Sequence, residues 1–338
     1  MAAAVSRPIV PRKRGPPIVV GPTNKTAQRP TKLLPKDLIE TARAINKVDF
    51  DPKKHLNFFP PKRIFTMTEI GLEGEGISDV ASSEPFTLYT REAAQQIRRE
   101  IFSEPVLEKC QYASSFCKNM IRGYTQEDAP FTHALWKSPE LIDAVSQVAG
   151  IQLVPAFEVE IGHINITINE DSGETQDASV GFSWHYDSFP FVCVTMLSDC
   201  TGMTGGETAI KTGTGEVMKL RGPDMGTAVI LQGRYIEHAA LKALGGRERI
   251  SMITAFRPKS PFVRDELVLT GSRSISVLSD LYLDYADYRA TILEERFRDQ
   301  AKKFREARRL GQSFDIEATR EFITTQKEFL EAMLVELV

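Results

Sequence analysis

The chain has 338 residues, of which 42% are hydrophobic and 26% are charged, and its formal net charge is -3. These values are typical of a folded globular protein, and the small charge does not make a nucleic acid or an anionic membrane an obligatory partner. No apolar run approaches the roughly 18 residues that a membrane span requires, so we expect no membrane partner.

The first 36 residues differ in composition from the remainder of the chain. They carry eight basic residues, no acidic residue and seven prolines. Such a segment cannot bury enough apolar surface to offset the entropy lost on ordering, which predicts a flexible basic arm over residues 1–36. Its "PRKRG" cluster is compatible with nuclear import, although basic clusters are usually solvated tails.

The cysteines indicate the compartment. The four cysteines form neither the CxxC spacing of a zinc site nor the dense pattern of a secreted disulfide scaffold. A reducing compartment fits this pattern best, so we expect a cytoplasmic protein, with a nuclear location possible through the basic arm.

Residues 37–150 have a mostly helical pattern with short strands. Residues 90–102 place apolar side chains at helical spacing after Thr90, and residues 138–150 run from a Ser-Pro start to a glycine stop. Both stretches are therefore predicted to be helices.

From residue 151 to about 262 the pattern changes to alternation of apolar and polar residues, which indicates strands. The alternation changes phase at Gly162, which predicts a β-bulge. Further strands are predicted at 191–197, 206–212, 215–220, 226–233 and 249–256. Several short strands without intervening helices predict an antiparallel sandwich or barrel.

Residues 278–338 return to a helical pattern, with leucines and aromatic residues on one face and dense opposite charges between them. The chain thus reads as one domain over residues 37–338, of the α+β class with a mainly β core. The C-terminal helices are expected to pack outside that core, as a monomer or a homodimer.

His185 and Asp187 lie two residues apart in the stretch "GFSWHYDSFP". In a strand or at its edge, residues i and i+2 point to the same side, so both side chains can converge on one point while Tyr186 faces away. Chance alone supplies roughly one quarter of such a pair in a chain of this composition, so the pair is weak evidence by itself and a third ligand is required to make it a metal site.

His238 is the best candidate for the third ligand. It follows an apolar strand and lies 53 residues after His185, a gap that holds about four strands and lets the chain return beside its start in a small jelly roll. Two histidines and one carboxylate on one face are typical of non-haem Fe(II) oxygenases. A closed zinc site would need a fourth ligand, usually sulfur, and Cys193 and Cys200 lie in the wrong strands for it.

Four short motifs follow one another along this region: His185-x-Asp187, Gly205-Gly206-Glu207-Thr208, "GTAVILQGRYIEH" ending at His238, and Arg249-x-Ser251. In this order they resemble the Fe(II)/2-oxoglutarate-dependent dioxygenases, in particular fungal biosynthetic members. The resemblance covers roughly residues 155–260. It implies a double-stranded β-helix (jelly roll) flanked by N-terminal and C-terminal helices, with Fe(II), 2-oxoglutarate and O2 as cofactors.

The resemblance also implies contacts with the cosubstrate. In that family an arginine and a hydroxyl residue two positions later bind the far carboxylate of 2-oxoglutarate, which corresponds to Arg249 and Ser251, and a guanidinium suits such bidentate binding. Arg247 is the competing arginine, but it lies beside an expected hairpin turn and lacks a paired hydroxyl. Asn165 and Thr167 are candidates for a contact with the metal-bound carboxylate.

For the reaction, the resemblance implies hydrogen abstraction from a small organic substrate of secondary-metabolite or amino-acid type. Hydroxylation, desaturation or ring closure would follow, with succinate and CO2 as co-products, and the triad would be catalytic as well as metal-binding. Arg122, His133 and Phe189 are candidate substrate contacts. Two alternatives stay open: an oxygenase that modifies protein or nucleic acid, and a jelly-roll protein that binds metal without catalysis.

Overall fold

A computed structural model describes residues 15–24, 26–168, 184–220, 224–245 and 248–338. The α-helices in these ranges are α1 (Lys36–Arg43), α2 (Pro52–His55), α3 (Arg91–Ile101), α4 (Glu104–Cys110), α5 (Pro130–Lys137), α6 (Pro139–Ala149), α7 (Leu278–Arg309) and α8 (Ile316–Glu336). Two short 3-10 helices span Glu158–Glu160 and Arg273–Ile275. No helix of the described residues is both long and apolar enough to cross a membrane.

The strands are β1 (Ile64–Thr66), β2 (Val80–Ser83), β3 (Phe86–Thr87), β4 (Gln111–Tyr112), β5 (Met120–Ile121), β6 (Leu153–Pro155), β7 (His163–Ile168), β8 (Phe191–Met196), β9 (Thr204–Gly205), β10 (Thr208–Lys211), β11 (Val217–Leu220), β12 (Thr227–Leu231), β13 (His238–Ala240), β14 (Ala243–Leu244) and β15 (Glu248–Pro258). The predicted strands at 191–197, 206–212, 215–220, 226–233 and 249–256 are confirmed by β8, β10, β11, β12 and β15. The predicted helices at 90–102 and 138–150 are confirmed by α3 and α6.

Most strands join one large antiparallel sheet. Its order is β1-β2-β12-β8-β15-β7-β5-β4, with β3 added beside β12 and β6 beside β15. A smaller sheet has the order β11-β10-β13, and β9 pairs with β14. The large sheet therefore draws strands from the N-terminal part of the chain as well as from the predicted core between 151 and 262.

Alternate residues of the central strands pack into two different hydrophobic clusters. On β15, Met252 and Phe256 belong to the cluster that includes helices α3, α5 and α6, whereas Ala255 belongs to the other. The second cluster joins the large sheet to Ile210 of β10 and to Leu281 of α7. One face of the large sheet thus carries helices, and the opposite face meets the smaller sheet.

Helix ends follow local sequence signals. Thr90 caps α3 by accepting a hydrogen bond from the backbone N–H of Ala93, and Ser138 caps α6 through Leu141. Gly150 ends α6 with a φ of 67°, a left-handed conformation that glycine adopts without steric cost. These are the start and stop residues from which both helices were predicted.

The predicted bulge at Gly162 is wrong. The residues before it form the 3-10 helix Glu158–Glu160, and β7 begins only at His163. Gly162 has a φ of 70°, its N–H donates to Thr254 Oγ1 and its carbonyl accepts from the Tyr124 hydroxyl. The change of phase therefore marks a sharp turn into the strand rather than an extra residue within it.

The N-terminal segment was predicted to be a flexible arm over residues 1–36. Residues 1–14 and residue 25 lie outside the described residues. The remainder lies against the folded domain: Gln28 pairs with Ala113 in an antiparallel bridge, and Leu34 is buried. Backbone groups of this segment thus find hydrogen-bond partners that its composition does not reveal.

Candidate metal centre

Two histidines face each other across an antiparallel bridge. The backbone N–H of His185 donates to the carbonyl of His238 at 2.9 Å, and the reciprocal bond from His238 has the same length. Directly opposed residues of this kind carry their side chains on the same face. His238 opens β13 of the smaller sheet, so the bridge ties the His185 segment to that sheet.

Asp187 completes a cluster of three possible ligands. Its Oδ1 lies 3.5 Å from His185 Nε2 and 3.6 Å from His238 Nε2, and the two imidazole centroids are 4.3 Å apart. All three ligand atoms lie within 4.8 Å of one another. Separations of 3.5 and 3.6 Å suit one ion with bonds of about 2.0–2.2 Å, and a separation of 4.8 Å would require the ligands to close by a few tenths of an ångström.

The donor set fits a divalent cation. His238 Nδ1 lies 2.9 Å from the carbonyl of Ile236, and if it carries the proton, Nε2 keeps its lone pair for the site. Asp187 Oδ2 is buried and has no hydrogen-bond partner among the described residues. A buried carboxylate oxygen without a partner is costly, and a bound cation would remove that cost.

The charge states favour metal binding. Burial is the main influence on His238 and lowers the pKa of its imidazole, which keeps the ring neutral and able to coordinate. Burial opposes ionisation of Asp187, but the attraction of His238 when it is protonated, together with the hydrogen bond and charge of His185, outweighs burial, so the pKa of the carboxyl lies below its usual value. The aspartate therefore stays ionised.

The cluster lies in a cavity of about 220 Å³ on the face of the large sheet that is turned away from α3, α5 and α6. Alternate residues of β15 line it: Arg249, Ser251, Ile253 and Ala255. Arg249 Nη1 donates to Ser251 Oγ at 3.4 Å, which brings the predicted cosubstrate pair together. Arg249 Nε is buried without a hydrogen-bond partner in the described ranges.

A network of polar side chains forms another part of the cavity wall. Arg122 Nη2 bonds Glu160 Oε1 at 2.6 Å, and Ser272 Oγ donates to the same oxygen at 2.8 Å. Arg122 Nη1 lies 3.3 Å from His163 Nδ1, and His163 Nε2 lies 3.0 Å from Asn165 Oδ1. All five residues line the cavity.

The network fixes the orientation of Asn165. Arg122 can only donate, so His163 Nδ1 must accept and His163 Nε2 must donate to Asn165 Oδ1. Burial and the charge of Arg122 lower the pKa of His163 to about 3, which agrees with a neutral ring. The amide nitrogen of Asn165 is then the group left to donate to a ligand.

Other predicted site residues are placed differently. Phe189 lines the cavity and packs edge-on against Phe157 at 5.5 Å. His133 is buried on α5 and lies 3.1 Å from the carbonyl of Tyr124, away from the residues that line the cavity. Thr167 is exposed near the end of β7 and is likewise not part of the wall. Arg247 lies outside the described residues.

Several cavity residues were missed by sequence reasoning. Glu160 and Ser272 complete the network around Arg122, and Val19 and Pro22 come from the N-terminal segment. A buried carboxylate in "FEVEIG" carries no local signal that distinguishes it from a solvated one. The segment's composition predicts an arm without any partner.

Comparison with known proteins gives matches only among solved structures. No protein family profile matches the chain, and no curated protein matches it. The chain is similar to an oxidoreductase of the 2OG-Fe(II) oxygenase family from Burkholderia pseudomallei, with 13% identity over 47% of this chain and 70% of the other and a TM-score of 0.33.

Two further solved structures show a comparable likeness. One is a Pseudomonas putida prolyl-4-hydroxylase, with 18% identity, 50% and 85% coverage and a TM-score of 0.30. The other is the non-heme alpha ketoglutarate dependent epimerase SnoN from nogalamycin biosynthesis, with 15% identity, 44% and 63% coverage and a TM-score of 0.31. All three TM-scores are low, so the chemistry of the site rests on its own residues.

Proposed function

We propose that this chain is an Fe(II)/2-oxoglutarate-dependent oxygenase with a jelly-roll core. The observation that carries the proposal is the meeting of His185, Asp187 and His238 in the same cavity as Arg249. The first three present ligand atoms within 4.8 Å of one another, and Asp187 Oδ2 is buried without a partner in the described part of the chain. This donor set leaves coordination positions free for a cosubstrate and O2.

Arg249 is the proposed binding residue for the far carboxylate of 2-oxoglutarate. Burial lowers the pKa of its guanidinium, which reflects the cost of holding a cation away from water. Within the described ranges no carboxylate lies at ion-pair distance from Arg249. An anion that enters the cavity would supply the missing charge, and Ser251 Oγ beside the guanidinium would add a second hydrogen bond.

Asn165 is the proposed contact for the cosubstrate's other carboxylate. Its amide nitrogen is left to donate by the bond from His163 to Asn165 Oδ1, and Asn165 lines the same cavity as the triad. When bound, iron with 2-oxoglutarate and O2 supplies the chemistry that removes a hydrogen atom from the substrate and releases succinate and CO2. The chain's own residues bind the participants, orient them and exclude water.

The size of the cavity favours a small organic substrate. Pockets for drug-sized ligands occupy about 300–1,000 Å³, whereas this cavity of about 220 Å³ must hold the cosubstrate as well. A protein or nucleic acid could place no more than one side chain or one flipped base in this space. Arg122 and Glu160 offer paired charges to a polar group of the substrate, and Phe189 offers an apolar surface.

Binding and turnover measured on one preparation test the proposal. The wild-type protein should bind Fe(II), bind 2-oxoglutarate only when the metal is present, and form succinate when O2 is admitted. Asp187→Asn should lose the metal and every later step, because the amide lacks the charge that offsets the cation. Asp199→Asn is the matched control, since Asp199 is an exposed carboxylate that bonds Thr201 outside the cavity.

One outcome would favour a metal-binding protein without oxygenase activity. That outcome is wild-type protein that binds the metal tightly but neither binds 2-oxoglutarate nor forms succinate. It would contradict the role of Arg249 while leaving the metal site intact.

A further inference from the structure

A stretch of the N-terminal segment lies at the cavity that holds the triad. Residues 17–22, here called the N-terminal strap, contribute Val19, Val20 and Pro22 to the cavity wall. The wall that they form is aliphatic. Ser114, the next residue of the wall after Pro22, lies about 90 residues later in the sequence. The strap is therefore a separate piece of chain that lies against the site.

The strap is tied to the loop that precedes His238 and contacts Asp187. The backbone carbonyl of Pro17 accepts a hydrogen bond from Arg234 Nη1 at 2.7 Å, and Arg234 is only 2% exposed. The carbonyl of Gly233, the residue before Arg234, accepts a hydrogen bond from the backbone N–H of Asp187 at 2.9 Å. The contact that holds the strap is thus next in sequence to the contact that holds a proposed metal ligand.

The other end of the strap reaches across the cavity rim. Gly21 lies so close to Thr270 that a Cβ on this glycine would be 2.5 Å from the Thr270 carbonyl oxygen. Just beyond the strap, the backbone N–H of Thr23 donates to Ser115 Oγ at 3.0 Å. Gly271, which follows Thr270, and Ser114, which precedes Ser115, both line the cavity. The strap therefore runs between two parts of the rim that are distant in sequence.

The side chains of the strap differ in direction. Ile18 is 84% exposed, whereas Val19 is half-buried and lines the cavity. Two adjacent aliphatic residues thus lie on opposite sides of the same short segment. This difference provides a matched pair of positions, one facing the site and one facing solvent.

We propose that the N-terminal strap is the movable outer wall of the substrate pocket and that Val19 and Pro22 determine the size of the apolar part of the substrate. The inference rests on the function proposed above, since it names the surface that a small substrate would meet. The described residues hold the strap through few hydrogen bonds and bury little of its apolar surface, so its local opening should require less free energy than opening of the sheet. Substrate would enter when the strap lifts and would be enclosed when it returns.

Metal exchange measures the opening of the strap. Protein is loaded with Mn²⁺, an oxygen-stable substitute for Fe(II), and the rate of its extraction by excess EDTA is compared among variants. Gly21→Val should lift the strap from Thr270 and speed extraction by about tenfold or more. The Kd for Mn²⁺ should stay at the wild-type value, because an easier opening accelerates binding and release alike. Deletion of residues 1–22 should give the same result, and Ile18→Ala should match wild type.

Water relaxation by bound Mn²⁺ tests the direction of Val19. In Val19→Trp the indole should enter the cavity, displace water near the ion and reduce its effect on water proton relaxation. Ile18→Trp adds the same bulk on the solvent side and should leave the relaxation unchanged. Equal relaxation in the two variants would overturn the assignment of Val19 to the pocket wall.

Amide hydrogen exchange in metal-free protein provides a readout that is independent of the proposed function. The N–H of Thr23 should be protected in wild type and in Ile18→Ala and should lose that protection in Gly21→Val. If Mn²⁺ were extracted at the wild-type rate from both Gly21→Val and the deletion variant, the proposal that the strap covers the cavity would be refuted. If the Kd for Mn²⁺ rose in proportion to the extraction rate, the strap would be shown to stabilise the metal ligands rather than to cover the cavity. If wild-type protein failed to bind Mn²⁺ while amide hydrogen exchange followed the expected pattern, only the proposed oxygenase function would be refuted.

Discussion

Gly233 and Asp187 are in such close contact that a Cβ on the glycine would lie 1.8 Å from Asp187 Oδ2. The two residues are also joined by the hydrogen bond from the Asp187 N–H to the Gly233 carbonyl, so the aspartate backbone cannot easily retreat. Only glycine at position 233 leaves room for the carboxylate where it now lies. Gly233 therefore shapes the proposed metal site although it offers no ligand atom.

Gly233→Ala should consequently impair metal binding. The added methyl group would push the carboxylate away from His185 and His238 and should weaken Mn²⁺ binding by about 10- to 100-fold, as is usual for loss of an outer partner of a metal ligand. Calorimetric titration with Mn²⁺ measures the change. Gly15→Ala is the control, because a Cβ at Gly15 meets nothing within 4 Å. Equal affinities in the two variants would contradict the proposed position of Asp187.

The triad could be predicted from sequence because each part of it follows a local rule. The i, i+2 spacing of His185 and Asp187 and the apolar strand before His238 are visible without any tertiary information. The parity of β15 likewise predicted that Arg249 and Ser251 share one face, as they do in the cavity wall.

The remainder of the site depends on contacts between distant segments. Glu160 meets Arg122 across a sequence separation of 38 residues, and the turn at Gly162 that follows Glu160 resembles a bulge in the sequence. The N-terminal segment packs through contacts with distant residues, among them the hydrogen bond from Arg234 to the Pro17 carbonyl and the bridge between Gln28 and Ala113. None of these contacts leaves a periodic signal, so composition alone predicted a free arm.

Arg249→Met should weaken binding of 2-oxoglutarate without affecting the metal. The variant keeps much of the side-chain length but loses a charged donor, and charge-assisted hydrogen bonds contribute about 1.5–3 kcal/mol, or about 10- to 150-fold in Kd. Titration of Mn²⁺-loaded protein with 2-oxoglutarate measures it. Arg257→Met is the control on the same strand, since Arg257 stacks on Tyr288 and lies outside the cavity wall. An unchanged Kd in Arg249→Met would exclude Arg249 from the cosubstrate site.

His163 should make folding sensitive to pH. Burial and Arg122 lower its pKa from 6.5 to about 3 in the folded protein. Between these values the unfolded chain binds a proton that the folded chain does not, so lowering the pH favours unfolding. The contribution of neutral His163 to the free energy of unfolding is fully present above about pH 6.5 and is lost as the pH falls towards 3.

His163→Gln removes the titrating group while it keeps an acceptor for Arg122 and a donor for Asn165. Proton uptake on unfolding at pH 5, obtained from the slope of unfolding free energy against pH, should fall by about one proton relative to wild type. An identical slope in both proteins would show that His163 titrates normally in the folded chain.

The Arg122–Glu160 pair should be far more sensitive to loss of one partner than to loss of both. Arg122 and Glu160 are 2% and 4% exposed, and their charges meet at 2.6 Å. Glu160→Gln leaves a buried cation without its counter-charge and should lower the free energy of unfolding by about 3–5 kcal/mol. The double variant Arg122→Met with Glu160→Met removes both charges and should cost less than the single change.

Chemical denaturation of the single and double variants measures this difference. Glu306→Gln provides the exposed reference, because its pair with Arg309 on α7 lies in solvent and should contribute little to the stability of the fold. If Glu160→Gln were as mild as Glu306→Gln, solvent would have to reach Arg122, and the cavity wall would be open at that point. If the double variant were as unstable as the sum of Arg122→Met and Glu160→Met measured singly, that result would likewise argue against a coupled buried pair.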